Sequence, residues 1–170
     1  FWSKVEEGTI PTRVTHNDTK INNILFDRQG EVLCAIDLDT VMASTSLNDF
    51  GDAIRSYANT GDEDDRDLSR VGLSLEMFRA YTEGYLSQRA KQLTDSEIDH
   101  LAFSARYITF EQVLRFLMDY IDGDTYYKVK YPGHNLVRTH AQYRLLQSME
   151  EHYGEMCRIV RETVDKYRKA

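Results

Sequence analysis

Cysteine is scarce in this chain: two in 170 residues, Cys34 and Cys157. One lies in an apolar strand-like run and the other in a helical one, without metal-site spacing. That argues against a disulfide framework and leaves a reduced, cytoplasmic setting as the expectation. Long apolar runs are missing as well, since no window approaches the roughly 20 apolar residues of a membrane span. Positive charge is in deficit, with 21 Lys and Arg against 28 Asp and Glu and a net charge of −7. A nucleic-acid backbone or an anionic membrane is therefore a poor candidate for the main partner. Internal repeats, low-complexity tracts and interdomain linkers are absent too. The chain opens on Phe1 with no signal-like apolar run, and it reads as a single domain, 1–170, cut from a longer protein.

What is present divides into a short β part and a helical remainder. Ile10 to Thr15 reads as a strand. Asn23-Ile24-Leu25-Phe26 and Val32-Leu33-Cys34-Ala35-Ile36 flank the turn signal Asp27-Arg28-Gln29-Gly30 and predict a hairpin. Such a hairpin brings Asn23 at its start beside Asp37 at its exit. Residues 49–58 predict a short helix, and the acidic run Asp62-Glu63-Asp64-Asp65 falls in a solvated loop over 61–67. Its spacing does not fit a calcium loop, because Arg66 and Asp67 stand where an oxygen ligand and a glycine would be needed. Ser74 is placed to cap a helix reaching about Ala90, and Thr94 to Glu97 spell a capping box before a long helix to Ile121. Gly123 ends that helix, and Asn135 can cap a last one. The fold class is α+β: a small β-hairpin platform and a mainly helical body.

The chemistry concentrates in Thr15-His16-Asn17-Asp18-Thr19-Lys20-Ile21-Asn22-Asn23, followed by Ile36-Asp37-Leu38-Asp39. Read as H-x-D-x-K-x-x-N and then an apolar residue with Asp, this supplies what phosphoryl transfer from a magnesium nucleotide needs. Asp18 is the candidate base for an attacking hydroxyl. Lys20 can neutralise the transferring phosphate. Asn23 and Asp37 offer the hard oxygen donors that Mg²⁺ prefers. His16 is expected to order the loop. Asp39, two residues past Asp37, is expected on the same strand face, where it could grip metal or a substrate hydroxyl.

These residues resemble the catalytic and metal-binding loops of kinase-like phosphotransferases, and more narrowly the aminoglycoside phosphotransferase and choline kinase superfamily. The resemblance implies a protein-kinase-like C-terminal lobe, ATP and Mg²⁺ as cofactors, and Asp49 of Asp49-Phe50-Gly51-Asp52 as a support for the catalytic loop. Asp37-Leu38-Asp39 departs from the D-F-G of protein kinases, and no A-P-E segment follows, which favours a small-molecule acceptor. With Asp37-Leu38-Asp39-Thr40-Val41 and Tyr131-Pro132-Gly133-His134-Asn135, the chain looks most like the N-acetylhexosamine 1-kinase branch. That branch phosphorylates the anomeric hydroxyl of an amino sugar. Choline or ethanolamine, homoserine and aminoglycoside kinases are the alternatives, and a non-catalytic kinase-like binding module is the rival from another class. Nothing before Thr15 supplies a phosphate-covering loop. The expected partner is therefore an N-terminal lobe of the same protein, without which the fragment should be nearly inactive.

For the acceptor, the helix to Ile121 is apolar nearly all round and is expected to be buried. Glu111 and Arg115 interrupt it one turn apart. They form either an internal ion pair or a guanidinium lining the acceptor pocket. His134, Asn135 and Arg138 are weaker candidates at a helix start, and Tyr57, Tyr107, Tyr126 and Tyr127 could stack on a ring.

Overall fold

A computed structural model describes residues 1–168. After a short helix α1 (Trp2–Glu6) the chain forms β1 (Arg13–Thr15), β2 (Ile24–Phe26), β3 (Val32–Ala35) and β4 (Met42–Ser44). Strands β2 and β3 pair antiparallel as the expected hairpin, turning where Gly30, at φ 86°, donates to the Asp27 carbonyl. Strand β4 returns to pair with β1, setting Arg13 opposite Ser44 and Thr15 opposite Met42. The helical body follows: α2 (Ser46–Tyr57), α3 (Leu75–Arg89), α4 (Asp95–Asp99), α5 (Leu101–Ile121), α6 (His134–Glu151) and α7 (Tyr153–Arg168). No helix among the described residues is long and apolar enough to cross a membrane.

The core lies between these helices. Leu47, Phe50 and Ile54 of α2 are fully buried, together with Phe78 and Leu86 of α3, Leu145 and Met149 of α6, and Met156 of α7. Phe50 meets Phe78, Tyr81 and Tyr85 edge-on, with ring centroids 5.2–6.3 Å apart, the arrangement that aromatic quadrupoles favour. Gly51 lets α2 lie against α5. A Cβ at this position would come within 2.5 Å of the Ser104 carbonyl oxygen. The caps at Ser74, which accepts from the Met77 amide, and at Thr94, in a reciprocal box with Glu97, form as expected.

Several expectations are corrected. Strand β3 ends at Ala35, and residues 38–40 form a 3-10 turn entered through Asp37 in the left-handed region. Strand alternation therefore does not relate Asp37 to Asp39. The single helices expected over 95–121 and beyond Asn135 are each broken, at His100 and His152. At both breaks the imidazole Nδ1 reaches the carbonyl of a serine four residues earlier, Ser96 at 2.7 Å and Ser148 at 2.8 Å. These side chains satisfy carbonyls that a helix end leaves open. Gly133 occupies the position before α6, and Asn135 lies fully buried inside the helix rather than capping it.

Helix α5 is not buried all round either, because Phe110, Leu114, Met118 and Ile121 are exposed along one stripe. Glu111 and Arg115 are exposed too and make no ion pair with each other. The acidic run is more than a solvated loop. Glu63 pairs with Arg55 at 2.7 Å, and Asp64 accepts from the buried His134 at 2.7 Å and from Lys130 at 3.1 Å. These contacts strap the loop down against α2 and α6.

Candidate active site

The loop between β1 and β2 is held from below by α2. Asp49 accepts the backbone amides of His16 at 3.0 Å and Asn17 at 2.7 Å, and Thr19 donates to the Asp49 carbonyl at 2.6 Å. Asn17 sits in the left-handed region at φ 62°, a conformation that asparagine tolerates better than most residues. Its side chain donates to the Thr40 carbonyl at 3.1 Å and accepts from the Thr15 hydroxyl at 3.0 Å.

The same contacts tie the loop to the segment after β3. Thr40 Oγ1 donates to the His16 carbonyl at 2.7 Å, and His16 Nε2 donates to the Ile36 carbonyl at 3.0 Å. His16 thus bridges two loops through backbone groups. The Ile36 amide donates to the Asn23 carbonyl at 2.9 Å, so Asn23 and Asp37 emerge at neighbouring points, as the hairpin required.

Two predicted residues converge on the carboxylate of a third. Asp18 Oδ2 accepts from Lys20 Nζ and from Asn23 Nδ2, both at 2.8 Å, and Asn23 Nδ2 also reaches the Asp18 carbonyl at 2.8 Å. Oδ1 is left for another donor. Partial burial works against the Lys20 ammonium, but the Asp18 carboxylate outweighs it and the pKa of Lys20 is raised. Asn23 is buried. With its side-chain Nδ2 committed to Asp18, its side-chain Oδ1 is the free end.

Asp37 and Asp39 are brought together by the 3-10 turn. Each carboxyl acts on the other, raising Asp37 above its ordinary range and lowering Asp39. Two adjacent carboxylates are a site where a cation relieves their repulsion. Asp39 does not line the clefts beside Asp18, where a substrate contact was expected of it.

Two adjoining clefts, of about 310 and 250 Å³, open beside Asp18, and both are walled by Asn17, Asp18, Arg55, Gln112 and Arg115. Arg115 therefore does face the space above Asp18, with its guanidinium 5.6 Å from the Tyr127 ring and 5.9 Å from the Tyr126 ring. Sequence reading singled out Asn135 and Arg138 but missed Asp119, which holds this wall. Asp119 is buried and accepts from the amides of Thr125, Tyr126 and Tyr127 at 2.8–3.0 Å and from Asn135 Nδ2 at 2.7 Å. Burial alone would raise its pKa, but these donors outweigh it and the value is lowered. Asn135 Oδ1 in turn accepts from Arg138 at 2.8 Å.

Arg55 was missed as well. It is buried, holds Asp52 through two nitrogens, and reaches Glu63 at 2.7 Å and Gln142 at 3.3 Å. Burial opposes its charge, and Asp52 and Glu63 more than restore it, raising the pKa. A polar group on the buried face of the amphipathic α2 was the available signal, since such a charge requires partners.

A family model described as phosphotransferase enzyme family matches residues 2–90. The match spans both site loops, α2 and α3. The clefts' far wall, from α5 onward, lies outside it.

Proposed function

From the premise that the chain belongs to the phosphotransferase enzyme family, we propose that it is the catalytic lobe of an ATP- and Mg²⁺-dependent small-molecule kinase. The acceptor we favour is a sugar hydroxyl, at the anomeric position of an N-acetylhexosamine. The observation that carries this reading is the convergence of Lys20 and Asn23 on Oδ2 of Asp18, which fixes that carboxylate and leaves Oδ1 uncommitted on a residue that lines both clefts.

In this reading Asp18 Oδ1 accepts the hydrogen bond of the acceptor hydroxyl, orients it, and takes its proton as the phosphoryl group departs from the nucleotide. Lys20 is charged and within reach of the same point, so it can exchange Asp18 for a phosphate oxygen as negative charge builds there. Arg115, Gln112 and the two tyrosines contain the acceptor on the other side.

The donor set suits a magnesium ion. Asn23 offers a carbonyl oxygen and Asp37 a carboxylate, with Asp39 beside it. Among the described residues no group of three His, Cys, Asp or Glu forms an all-protein cage. That suits an ion which keeps water and nucleotide phosphates as its other ligands. When bound, Mg²⁺ neutralises and orients the phosphates.

We place the reaction in the cytoplasm, where ATP is available and Cys34 and Cys157 stay free thiols. We also propose that a nucleotide-covering N-terminal lobe completes the site. The test is ADP release by the full-length protein with Mg-ATP and one acceptor at a time: N-acetylglucosamine, N-acetylgalactosamine, choline, homoserine and an aminoglycoside. Turnover confined to the amino sugars and abolished by Asp18→Asn supports the proposal. Turnover with another acceptor keeps the mechanism and discards the branch. Activity indifferent to Asp18→Asn would sink it.

A further inference from the structure

The 250 Å³ cleft beside Asp18 is walled on one side by Asn48 and Asp52 of α2 and on the other by Ile108, Glu111 and Arg115 of α5. Asn48 and Asp52 are one helical turn apart and share a face. Asn48 donates its Nδ2 to Ser44 Oγ at 2.9 Å, and its Oδ1 is buried without a partner. Asp52 commits Oδ1 to Arg55 Nε and Nη2 at 3.0 and 2.8 Å, and its Oδ2 is likewise buried without a partner. Asp52 is more than nine-tenths buried as a residue. Two acceptor oxygens on one helix face, both lacking donors, are costly in a folded protein unless something with hydrogens to give arrives.

The charge around the cleft says what that something is. Asp18, Asp52 and Glu111 contribute three carboxylates, and Arg55 and Arg115 contribute two guanidinium groups. Lys20 neutralises Asp18 from the side. Glu63, which pairs with Arg55, and Arg138 line the adjoining cleft and add one charge of each sign, so the groups balance and no surplus negative charge is available to hold a quaternary ammonium or a polycation. A neutral ligand rich in hydroxyl donors fits both the oxygens and the balance.

Resting on the phosphotransferase reading, we propose that Asn48 and Asp52 form a hydroxyl-binding subsite. Asn48 Oδ1 and Asp52 Oδ2 accept hydrogen bonds from two neighbouring hydroxyls of a polyhydroxylated acceptor while a further hydroxyl faces Asp18. The subsite fixes acceptor class and orientation and takes no part in proton transfer.

The experiment measures acceptor and ATP KM, with parallel calorimetric titrations, on the full-length protein, using monosaccharides and their monodeoxy analogues. Wild type is compared with Asn48→Ala and Asp52→Asn. Both variants should raise the acceptor KM by roughly 10–100-fold and leave the ATP KM unchanged. The monodeoxy analogue that loses the Asn48 partner should be impaired in wild type and no further impaired in Asn48→Ala. An unchanged acceptor KM in the folded variants overturns the subsite, as does equal wild-type turnover of choline and of monosaccharides. Asp52→Asn weakens the support of Arg55, so Asn48→Ala carries the test if the melting temperature of Asp52→Asn drops. Should wild type form no ADP with any acceptor, titration separates the failures. Monosaccharide binding that Asn48→Ala abolishes keeps the subsite and removes the kinase reading, whereas no monosaccharide binding removes the subsite.

Discussion

Asp49 holds Asn17 in the left-handed region, its carboxylate accepting the Asn17 amide at 2.7 Å while φ stands at 62°. The second oxygen takes the His16 amide, so one side chain from α2 sets the two residues that precede Asp18. Asp49→Ala should cost about 2–3 kcal/mol, the scale of lost hydrogen bonds to a charged group. It should also lower kcat by more than the loss of folded protein explains. Urea unfolding and turnover on the same samples check both parts.

Gly51 allows α2 and α5 to touch through their backbones, since an added Cβ would meet the Ser104 carbonyl oxygen at 2.5 Å and Ile108 Cγ1 at 2.7 Å. Gly51→Ala is therefore expected to destabilise by about 2–3 kcal/mol, the upper range for overpacking. Gly84, exposed in α3 with open space at its Cβ position, is the control. Gly84→Ala should stabilise by about 0.5–1 kcal/mol. Equal effects at the two sites would refute the close-packing argument.

Glu97 joins β1 to the helical body by accepting from Arg13 at 2.7 and 2.8 Å, from Ser46 Oγ at 2.7 Å and from the Thr94 amide at 2.8 Å. Burial pushes its pKa up, but Arg13 and the other donors outweigh burial and bring it below the ordinary 4.5. A carboxylate lowered in the folded state adds stability that is complete above its unfolded pKa and disappears as pH falls through the folded value. The melting temperature of wild type should thus drop from pH 4.5 downward. Glu97→Gln should melt lower at pH 7, with the gap closing in acid. A gap constant with pH would contradict this account.

Asp119 positions the segment that carries Tyr126 and Tyr127 without touching the clefts beside Asp18. Asp119→Ala is expected to raise the acceptor KM about tenfold, the effect of misplacing a binding wall. It should leave the ATP KM unchanged, and Asp119→Asn should recover part of the loss. An equal rise in both constants would reassign Asp119 to general stability.

The elements that sequence made legible are those written in local chemistry. The hairpin followed from two apolar runs around Gly30, and the α3 and α4 starts followed from Ser74 and Thr94, because caps and turns depend on neighbouring residues alone. The helix breaks at His100 and His152 were not legible, since no Gly or Pro lies near His100, Gly154 falls inside α7 rather than at the break, and the stop comes from an imidazole folding onto a serine carbonyl. Asp18, Lys20, Asn23 and Asp37 could be singled out because they belong to one spaced motif. Asp119 with Asn135, and Arg55 with Gln142, are pairings across separate helices. Only the packing of α2, α5 and α6 brings them together. The burial expected for α5 failed because apolar composition does not say which residues the neighbouring helices cover.

The two β ladders are only two strands each, and Val14, Val32, Leu33 and Met42 on them are exposed. Such small ladders have little stability of their own. Their amides should exchange with deuterium well before those of α2 and α5, as a separate cooperative unit. The residues assigned to chemistry sit between these ladders, so heat or denaturant should silence the site while the helical body is still folded.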